Sequence, residues 1–207
     1  MTVPFGVLGH GSQAWETAEY AAPDLPQFYA VSGGIVHGHD PMIDLETTNP
    51  EYTSVPVVAA VGAPGLRRDV VGMWSGSAYR TVVARSADIS MSAEIRDGCI
   101  IGAHAVLTAG VQLGGHVIVN VGATISHGSV VGDFATISPG VHIAGDCVVG
   151  AGVFLGIGAV VSNGIHIVEG AVVGAGAVVV DDITMDGIWV GVPARRLRSS
   201  QGWLQRI

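Results

Sequence analysis

The stretch VIVNVGATISHGSVVGDFATI, residues 117–137, carries an aliphatic residue at every sixth position. The same register runs without interruption from Val83 to Val179, and all seventeen positions are Leu, Ile or Val. A helix would repeat its apolar residues every 3.6 positions and a strand every 2, so neither explains a period of six. The repeat therefore decides the fold of this half of the chain.

A period of six is the signature of the hexapeptide β-helix, in which each hexad forms one flat side of a triangular prism. Three hexads make one coil, so residues 18 apart stack on each other. A mostly small residue stands four positions after each aliphatic one, where two walls converge. This small position holds Cys99 and Cys147, which we interpret as packing residues. Between five and six coils at strand spacing give a prism about 27 Å tall.

The first 82 residues show a different pattern, in which buried strands alternate with short helices. We predict a small parallel sheet with a Rossmann-like α/β arrangement, so that residues 1–82 and 83–207 form two domains. A ligand of the first domain is expected at the carboxyl ends of its strands, near Gly9–Gly11 and Gly62.

Local signals in this first domain predict its helices and loops. Ser12 is placed to cap a helix that runs to about Ala22, with Trp15 and Ala18 facing inward. Residues 33–54 are rich in Gly, His, Pro, Asp and Thr and are expected to form a loop.

Composition excludes several classes of protein. The net charge is −8 and there is no lysine, which argues against a nucleic-acid surface. Residues 98–132 carry no charged side chain, but their many Gly together with His, Asn and Gln argue against a membrane span. The N-terminus has no signal-type pattern and two cysteines are too few for a disulfide framework, so we expect a cytoplasmic protein.

Three segments together resemble one known family. They are Gly9-His10-Gly11 in the first domain, SHGSVVGDF at residues 126–134 and VGVPARR at residues 190–196. The chain resembles the bacterial sugar O- and N-acetyltransferases of the sialic-acid O-acetyltransferase type, which include the UDP-4-amino-sugar N-acetyltransferases. The resemblance covers nearly the whole chain and is strongest over residues 117–198.

This resemblance implies an acetyl-CoA-dependent transfer to an amine or hydroxyl of a sugar, which we expect to be nucleotide-linked, without a metal. It also implies a left-handed β-helix and a homotrimer with active sites between subunits. His127 is placed as the general base, and Asn120 also matches the catalytic pattern. The remaining roles fall on these residues: Thr136, Gly145, Ile157, Ala175 and Arg195 for the cofactor, and Gly9, His10, Gly11 and Gly62 for the acceptor.

Three positions depart from the family pattern. Gly128 stands where the base is usually followed by an acidic residue that raises its basicity. Thr136 replaces a second histidine, and residues 32–34, Ser-Gly-Gly, replace an acidic pair that helps to hold the nucleotide. His37 and His39 lie in the following loop and are candidates for the acceptor pocket.

Two other functions stay open. A family member whose base has lost its partner could bind a sugar nucleotide without catalysis, and Gly128 favours this reading. A zinc enzyme of the γ-carbonic-anhydrase kind needs histidines on stacked coils. The prism histidines are His104, His116, His127, His142 and His166. No two of them are separated by a multiple of 18, which argues against such a site within one chain.

Overall fold

A computed structural model of the 207-residue chain describes residues 4–32, 41–47 and 50–201. The chain begins with a small parallel α/β sheet, continues into a prism of stacked coils and ends in a short antiparallel pair of strands. No helix within the described ranges is long and apolar enough to cross a membrane.

The first domain contains four strands, two α-helices and one 3₁₀ turn in the described part of the chain. In chain order these are β1 (Phe5–Leu8), α1 (Ser12–Ala21), β2 (Pro26–Val31), β3 (Met42–Asp44), the 3₁₀ turn Pro50–Tyr52, β4 (Val57–Ala59) and α2 (Pro64–Met73). The strands are parallel and lie in the order β3-β2-β1-β4. The expectation of a loop over residues 33–54 is therefore wrong at Met42–Asp44, because β3 pairs with β2 and adds a strand to the edge of the sheet. Residues 33–40 and 48–49 of that range lie outside the described residues.

Helix α1 differs from the prediction in its cap and in its buried face. Gly11, not Ser12, is the N-cap residue, and within the described part of the chain no side chain caps the helix. Trp15 is 55% exposed, whereas the buried residues are Ala14, Thr17 and Ala21. Small residues line the inner face because the helix packs closely against the prism, so the bulky indole is left at the surface.

The prism is built from seventeen two-residue strands within the described chain. Strands β5 to β21 are, in order: Val82–Val83, Asp88–Ile89, Glu94–Ile95, Ile100–Ile101, Val106–Leu107, Gln112–Leu113, Ile118–Val119, Thr124–Ile125, Val130–Val131, Thr136–Ile137, His142–Ile143, Val148–Val149, Phe154–Leu155, Val160–Val161, His166–Ile167, Val172–Val173 and Val178–Val179. Strands β22 (Ile188–Val190) and β23 (Arg195–Arg198) follow as an antiparallel pair.

Each prism strand pairs in parallel with the strand 18 residues along the chain, for example Thr124 with His142. The pairing produces three sheets that form the walls of the prism, which is consistent with the left-handed β-helix that the resemblance implied. From Ile101 to Val179 the repeat aliphatics are buried in one core, and both cysteines are buried and free, as predicted. The three earlier repeat positions are more exposed, Val83 to 40% and Ile89 and Ile95 in part, because they lie in the first coil, at the open end of the prism.

The first domain packs on one wall of the prism, formed by β5, β8, β11 and the strands that stack above them. The outward-facing Ile100 and Ile118 of this wall are buried in the same cluster as Phe5 and Val7 of the sheet. A domain boundary between residues 82 and 83 stays a prediction, although both residues belong to strand β5.

Arg67 of α2 is fully buried where the two parts of the chain meet. Its guanidinium donates six hydrogen bonds among the described residues, to the backbone oxygens of Val61, Gly62, His116, Phe134 and Ala135 and to Oγ1 of Thr136. Burial lowers the pKa of Arg67 to about 9, and the surrounding oxygens favour the charged form. One side chain thus fixes the first domain against the prism.

Candidate active site

His127 lies on an edge of the prism that faces away from the first domain. The turns at residues 109–110, 127–128, 145–146 and 163–164 stack along this edge, which we call the His127 corner. Residues 180–182 cross the same edge above them in a shortened segment, after which Ile183 pairs with Ile167. The His127 corner joins the two walls that the first domain does not cover. The His127 side chain is 64% exposed, so the imidazole is not part of the core.

The imidazole ring lies flat against Gly145, the residue stacked 18 positions later. A Cβ at Gly145 would stand 2.7 Å from Nε2 and 2.9 Å from Nδ1 of His127. Only glycine at this position therefore leaves the ring where it is.

Asp146 lies beside the ring, in the same turn as Gly145. Its Oδ1 is 3.9 Å from Nδ1 of His127, and its side chain is 72% exposed. The backbone N–H of Asp146 donates to the carbonyl of His127 at 2.8 Å, which fixes the two turns relative to each other. The carboxylate that is missing after His127 in the chain is thus present beside His127 in the stack.

Gly128 makes room for this carboxylate. It lies directly below Asp146, and a Cβ at Gly128 would collide with Oδ1 of Asp146. Gly128 also has a φ of +67° and Asp146 a φ of +59°, in the left-handed region that Gly adopts freely and Asp tolerates better than most residues. His127-Gly128 on one coil and Gly145-Asp146 on the next form a two-by-two arrangement in which each large side chain faces a glycine.

The His127 corner continues upward to Arg195. The guanidinium of Arg195 is 3.6 Å from the carboxylate of Asp181, which is stacked three coils above His127. Three coils at about 4.8 Å separate the two levels by about 14 Å. The corner therefore offers an extended track with an imidazole at one level and an exposed cation near its upper end.

Ile157 and Ala175 lie on a different corner, formed by the turns at residues 121–122, 139–140, 157–158 and 175–176. Both side chains are exposed, Ile157 to 63%. Asn120 lies on this side as well, where its Nδ2 is 3.4 Å from Oε1 of Gln13 in α1. Within one chain the structure thus separates Asn120, Ile157 and Ala175 from His127.

Thr136 lies in the domain interface. Its side chain is 3% exposed, donates to the carbonyl of Gly62 at 2.8 Å and accepts from Arg67 at 3.0 Å. The role of Thr136 in cofactor binding stays a prediction, but its hydroxyl is enclosed and already bonded. Gly62 is likewise tied to this interface through its carbonyl.

Gly9, His10 and Gly11 follow β1, and Gly62 follows the adjacent parallel strand β4, so both segments leave the same edge of the sheet. The His10 ring packs edge-on against Tyr29, with ring centroids 5.1 Å apart, and against Trp15 at 5.9 Å. Gly11 is the N-cap of α1, and helix N-termini favour anions. The predicted acceptor residues are therefore gathered at one edge, on the opposite side of the prism from His127.

The other histidines have separate surroundings. His37 and His39 lie outside the described residues. His142 bonds Oγ1 of Thr124 at 2.9 Å, and His166 lies 3.9 Å from Asp182. Within the described ranges, no group of three or more His, Cys, Asp or Glu side chains could hold a metal ion.

Sequence reasoning missed Asp146 and Arg67. The step of 18 could have found Asp146, because residue 146 stacks on residue 128, where the acidic partner is missing. Nothing in the sequence marks Arg67, since an arginine in a short helix usually lies at the surface.

A short α/β domain followed by uninterrupted hexapeptide coils defines the class of hexapeptide-repeat proteins. No protein-family model matches the sequence, and no curated protein matches it. The solved structures give clear matches. The acetyltransferase domain of PglB from Neisseria gonorrhoeae is 30% identical, with a TM-score of 0.83 over 95% of this chain and 100% of that one.

Two further structures extend the comparison. The same PglB domain in complex with acetyl coenzyme A is 29% identical over the same coverage, also with a TM-score of 0.83. PerB from Caulobacter crescentus, in complex with CoA and GDP-perosamine, is 26% identical, with a TM-score of 0.81 over 94% of this chain and 96% of that one. The chain belongs to the family of hexapeptide-repeat sugar acyltransferases, which the motifs had indicated.

Proposed function

We propose that this protein transfers an acetyl group from acetyl-CoA to an amine or hydroxyl of a nucleotide-linked sugar, with His127 as the general base. The observation that carries the proposal is the exposed imidazole of His127, held between a glycine and a carboxylate at one end of a track that leads to Arg195. The bound molecules in the PglB and PerB structures, acetyl coenzyme A and GDP-perosamine, support the choice of substrates.

His127 accepts the proton of the acceptor amine or hydroxyl as that group attacks the thioester carbonyl. Gly145 has a backbone N–H that makes no backbone hydrogen bond within the described chain, and this amide stabilises the oxyanion of the tetrahedral intermediate. When the C–S bond breaks, His127 returns its proton to the departing thiolate. The acceptor gains an acetyl group, and free CoA is the second product.

The cofactor extends along the His127 corner, with Arg195 near its phosphates. Guanidinium groups suit phosphate because they combine charge with several directed N–H donors. Ile157 and Ala175 of a neighbouring subunit cover the other side of the groove, together with Asn120.

A homotrimer supplies that neighbour. Within one chain His127 and the acceptor residues Gly9–Gly11 lie on opposite sides of the prism, so one chain does not assemble the site. The uncovered walls also expose aliphatic side chains that a neighbouring prism would bury: Val148, Val160, Val168 and Val180. The Rossmann-like first domain of one subunit then presents the acceptor to the base of the next.

The test measures thiol release from acetyl-CoA with a panel of GDP-, UDP- and dTDP-linked amino sugars and with free sialic acids. We expect turnover on one acceptor, and a loss of about 10²–10⁴ in kcat in His127→Ala, the usual contribution of a general base. His166→Ala is the matched control, because His166 lies at the same 3.9 Å from an aspartate on the prism wall.

Equal losses in both variants, or unchanged turnover in His127→Ala, would exclude His127 as the base. Binding of CoA and of a nucleotide sugar without turnover on any acceptor would favour a non-catalytic binding protein.

A further inference from the structure

Asp146 and Asp182 each lie 3.9 Å from the Nδ1 atom of a histidine. Their places in the stack differ, because the chain after β21 is shortened and Ile183 pairs with Ile167. In the pair of His127 with Asp146, the ring faces Gly145 and the carboxylate faces Gly128. In the other pair His166 lies on a wall strand, and Asp182 accepts the backbone N–H of that histidine at 2.8 Å. The Asp182 carboxylate therefore has a structural bond to explain its position, whereas Asp146 faces the ring of His127.

We infer that Asp146 is the positioning residue that orients His127 for catalysis, and that Gly128 is present because a side chain there would displace the carboxylate. This inference rests on the proposed function. Asp146 lies on the Nδ1 side of the ring, so it accepts the Nδ1 proton and leaves Nε2 free to take the proton of the acceptor. The carboxylate also stabilises the imidazolium that forms during the reaction.

The geometry explains why the partner comes from the next coil. A Cβ at Gly128 would stand where Oδ1 of Asp146 lies, so a side chain at position 128 would push this carboxylate away from the ring of His127. In this chain position 146 carries it, and position 128 is reduced to glycine.

The pair adds little to folding stability, since both side chains are more than half exposed and such ion pairs contribute little. Loss of Asp146 is therefore expected to change catalysis without changing the fold. A distance of 3.9 Å is also long for a hydrogen bond, and catalytic hydrogen bonds often shorten when substrate binds.

The first experiment compares Asp146→Asn with Asp182→Asn in the full-length protein. We expect Asp146→Asn to lower kcat about 10- to 100-fold, part of the contribution of a general base, with KM for acetyl-CoA unchanged. Asp182→Asn should keep the kcat of the wild type. An unchanged kcat in Asp146→Asn, with His127→Ala inactive, would overturn the inference and leave the proposed function standing.

The second experiment moves the carboxylate from position 146 to position 128. The double variant Gly128→Asp/Asp146→Gly removes the collision between the two positions and returns an acidic residue to position 128. We expect it to recover most of the kcat that Asp146→Asn loses, whereas Gly128→Asp alone should impair turnover. If the double variant is normally stable and its kcat does not exceed that of Asp146→Asn, the claim that a carboxylate at position 128 can replace the one at position 146 would be wrong.

A readout that needs no turnover completes the test. The ¹⁵N chemical shifts of the His127 ring report which nitrogen carries the proton. We expect the proton on Nδ1 in the wild type and a shift toward the Nε2 tautomer in Asp146→Asn. Identical ring shifts in the two proteins would refute the pairing even if no acceptor is found, whereas a changed tautomer without turnover would reject only the proposed function.

Discussion

His116 and His127 lie on two edges of the same prism, and both pack against a glycine of a neighbouring coil. A Cβ at Gly98 would collide with Nδ1 of His116, just as a Cβ at Gly145 would meet the ring of His127. The surroundings of the two rings differ. His116 lies between Tyr79 and Phe134, with ring centroids 4.6 and 4.9 Å away, and its Nδ1 has no hydrogen-bond partner among the residues that the structure describes.

This difference decides what each imidazole can do. Burial, followed by the nearby charge of Arg67, lowers the pKa of His116, so this ring stays neutral and serves the domain interface. His127 is exposed and has a carboxylate beside Nδ1. The hexapeptide repeat thus holds histidines at different corners, and the packing around each corner determines whether the ring is enclosed, as in His116, or open to solvent beside a carboxylate, as in His127.

The largest expected effect is a loss of stability at the domain interface, where Arg67 and His116 lie. Arg67→Ala removes a donor from five backbone carbonyls of the interface, of which Gly62 and Ala135 keep a second donor. We expect it to lower the free energy of unfolding by roughly 3–5 kcal/mol. Arg68→Ala is the matched control, because Arg68 is half-exposed and lies 3.8 Å from Glu169. Urea unfolding of both variants would check the prediction, and equal stabilities would contradict the role of Arg67.

The next largest expected effect is a loss of turnover at the His127 corner. In Gly145→Ala the new methyl group must push the His127 ring aside, and a displacement of about 1 Å can cost about 10²-fold in rate. We expect kcat to fall toward that extent while the melting temperature changes little. Gly115→Ala, at the equivalent position of another corner, meets its nearest atom at an ordinary 3.6 Å. Comparable losses of kcat in both variants would show that the ring position is not the cause.

The smallest effect is a pH dependence of stability. Because the pKa of folded His116 lies below its ordinary value of about 6.5, the unfolded chain binds more protons as the pH falls past that value. Stability is therefore fully present above about pH 6.5 and decreases below it. We expect His116→Asn to flatten this decrease in melting temperature between neutral and mildly acidic pH.

His104→Asn provides the control for this prediction. His104 is exposed and has a φ of +57°, close to the +58° of His116. The same substitution is thus made at the same backbone conformation without the burial. A pH dependence that is equally flat in both variants would assign the effect to the prism turns in general.

The sequence predicted the prism well because its repeat is local. The buried repeat aliphatics from Ile101 to Val179 follow from a step of six, and the stacking of His127 below Gly145 follows from a step of 18. Trp15 was assigned to the wrong face because helix periodicity does not say what the helix packs against. Asp146 was missed because its relation to His127 depends on two side chains that are 19 residues apart.

The sequence by itself determined the coils, the buried positions of both cysteines and the family. These features follow from a fixed number of residues per coil, which converts chain position directly into position in space. Only the tertiary structure decided that Asp146 fills the space above Gly128, that Thr136 is enclosed by Arg67, and that His127 faces away from the first domain. Those facts depend on side-chain volume and on the docking of two domains, which no sequence period encodes.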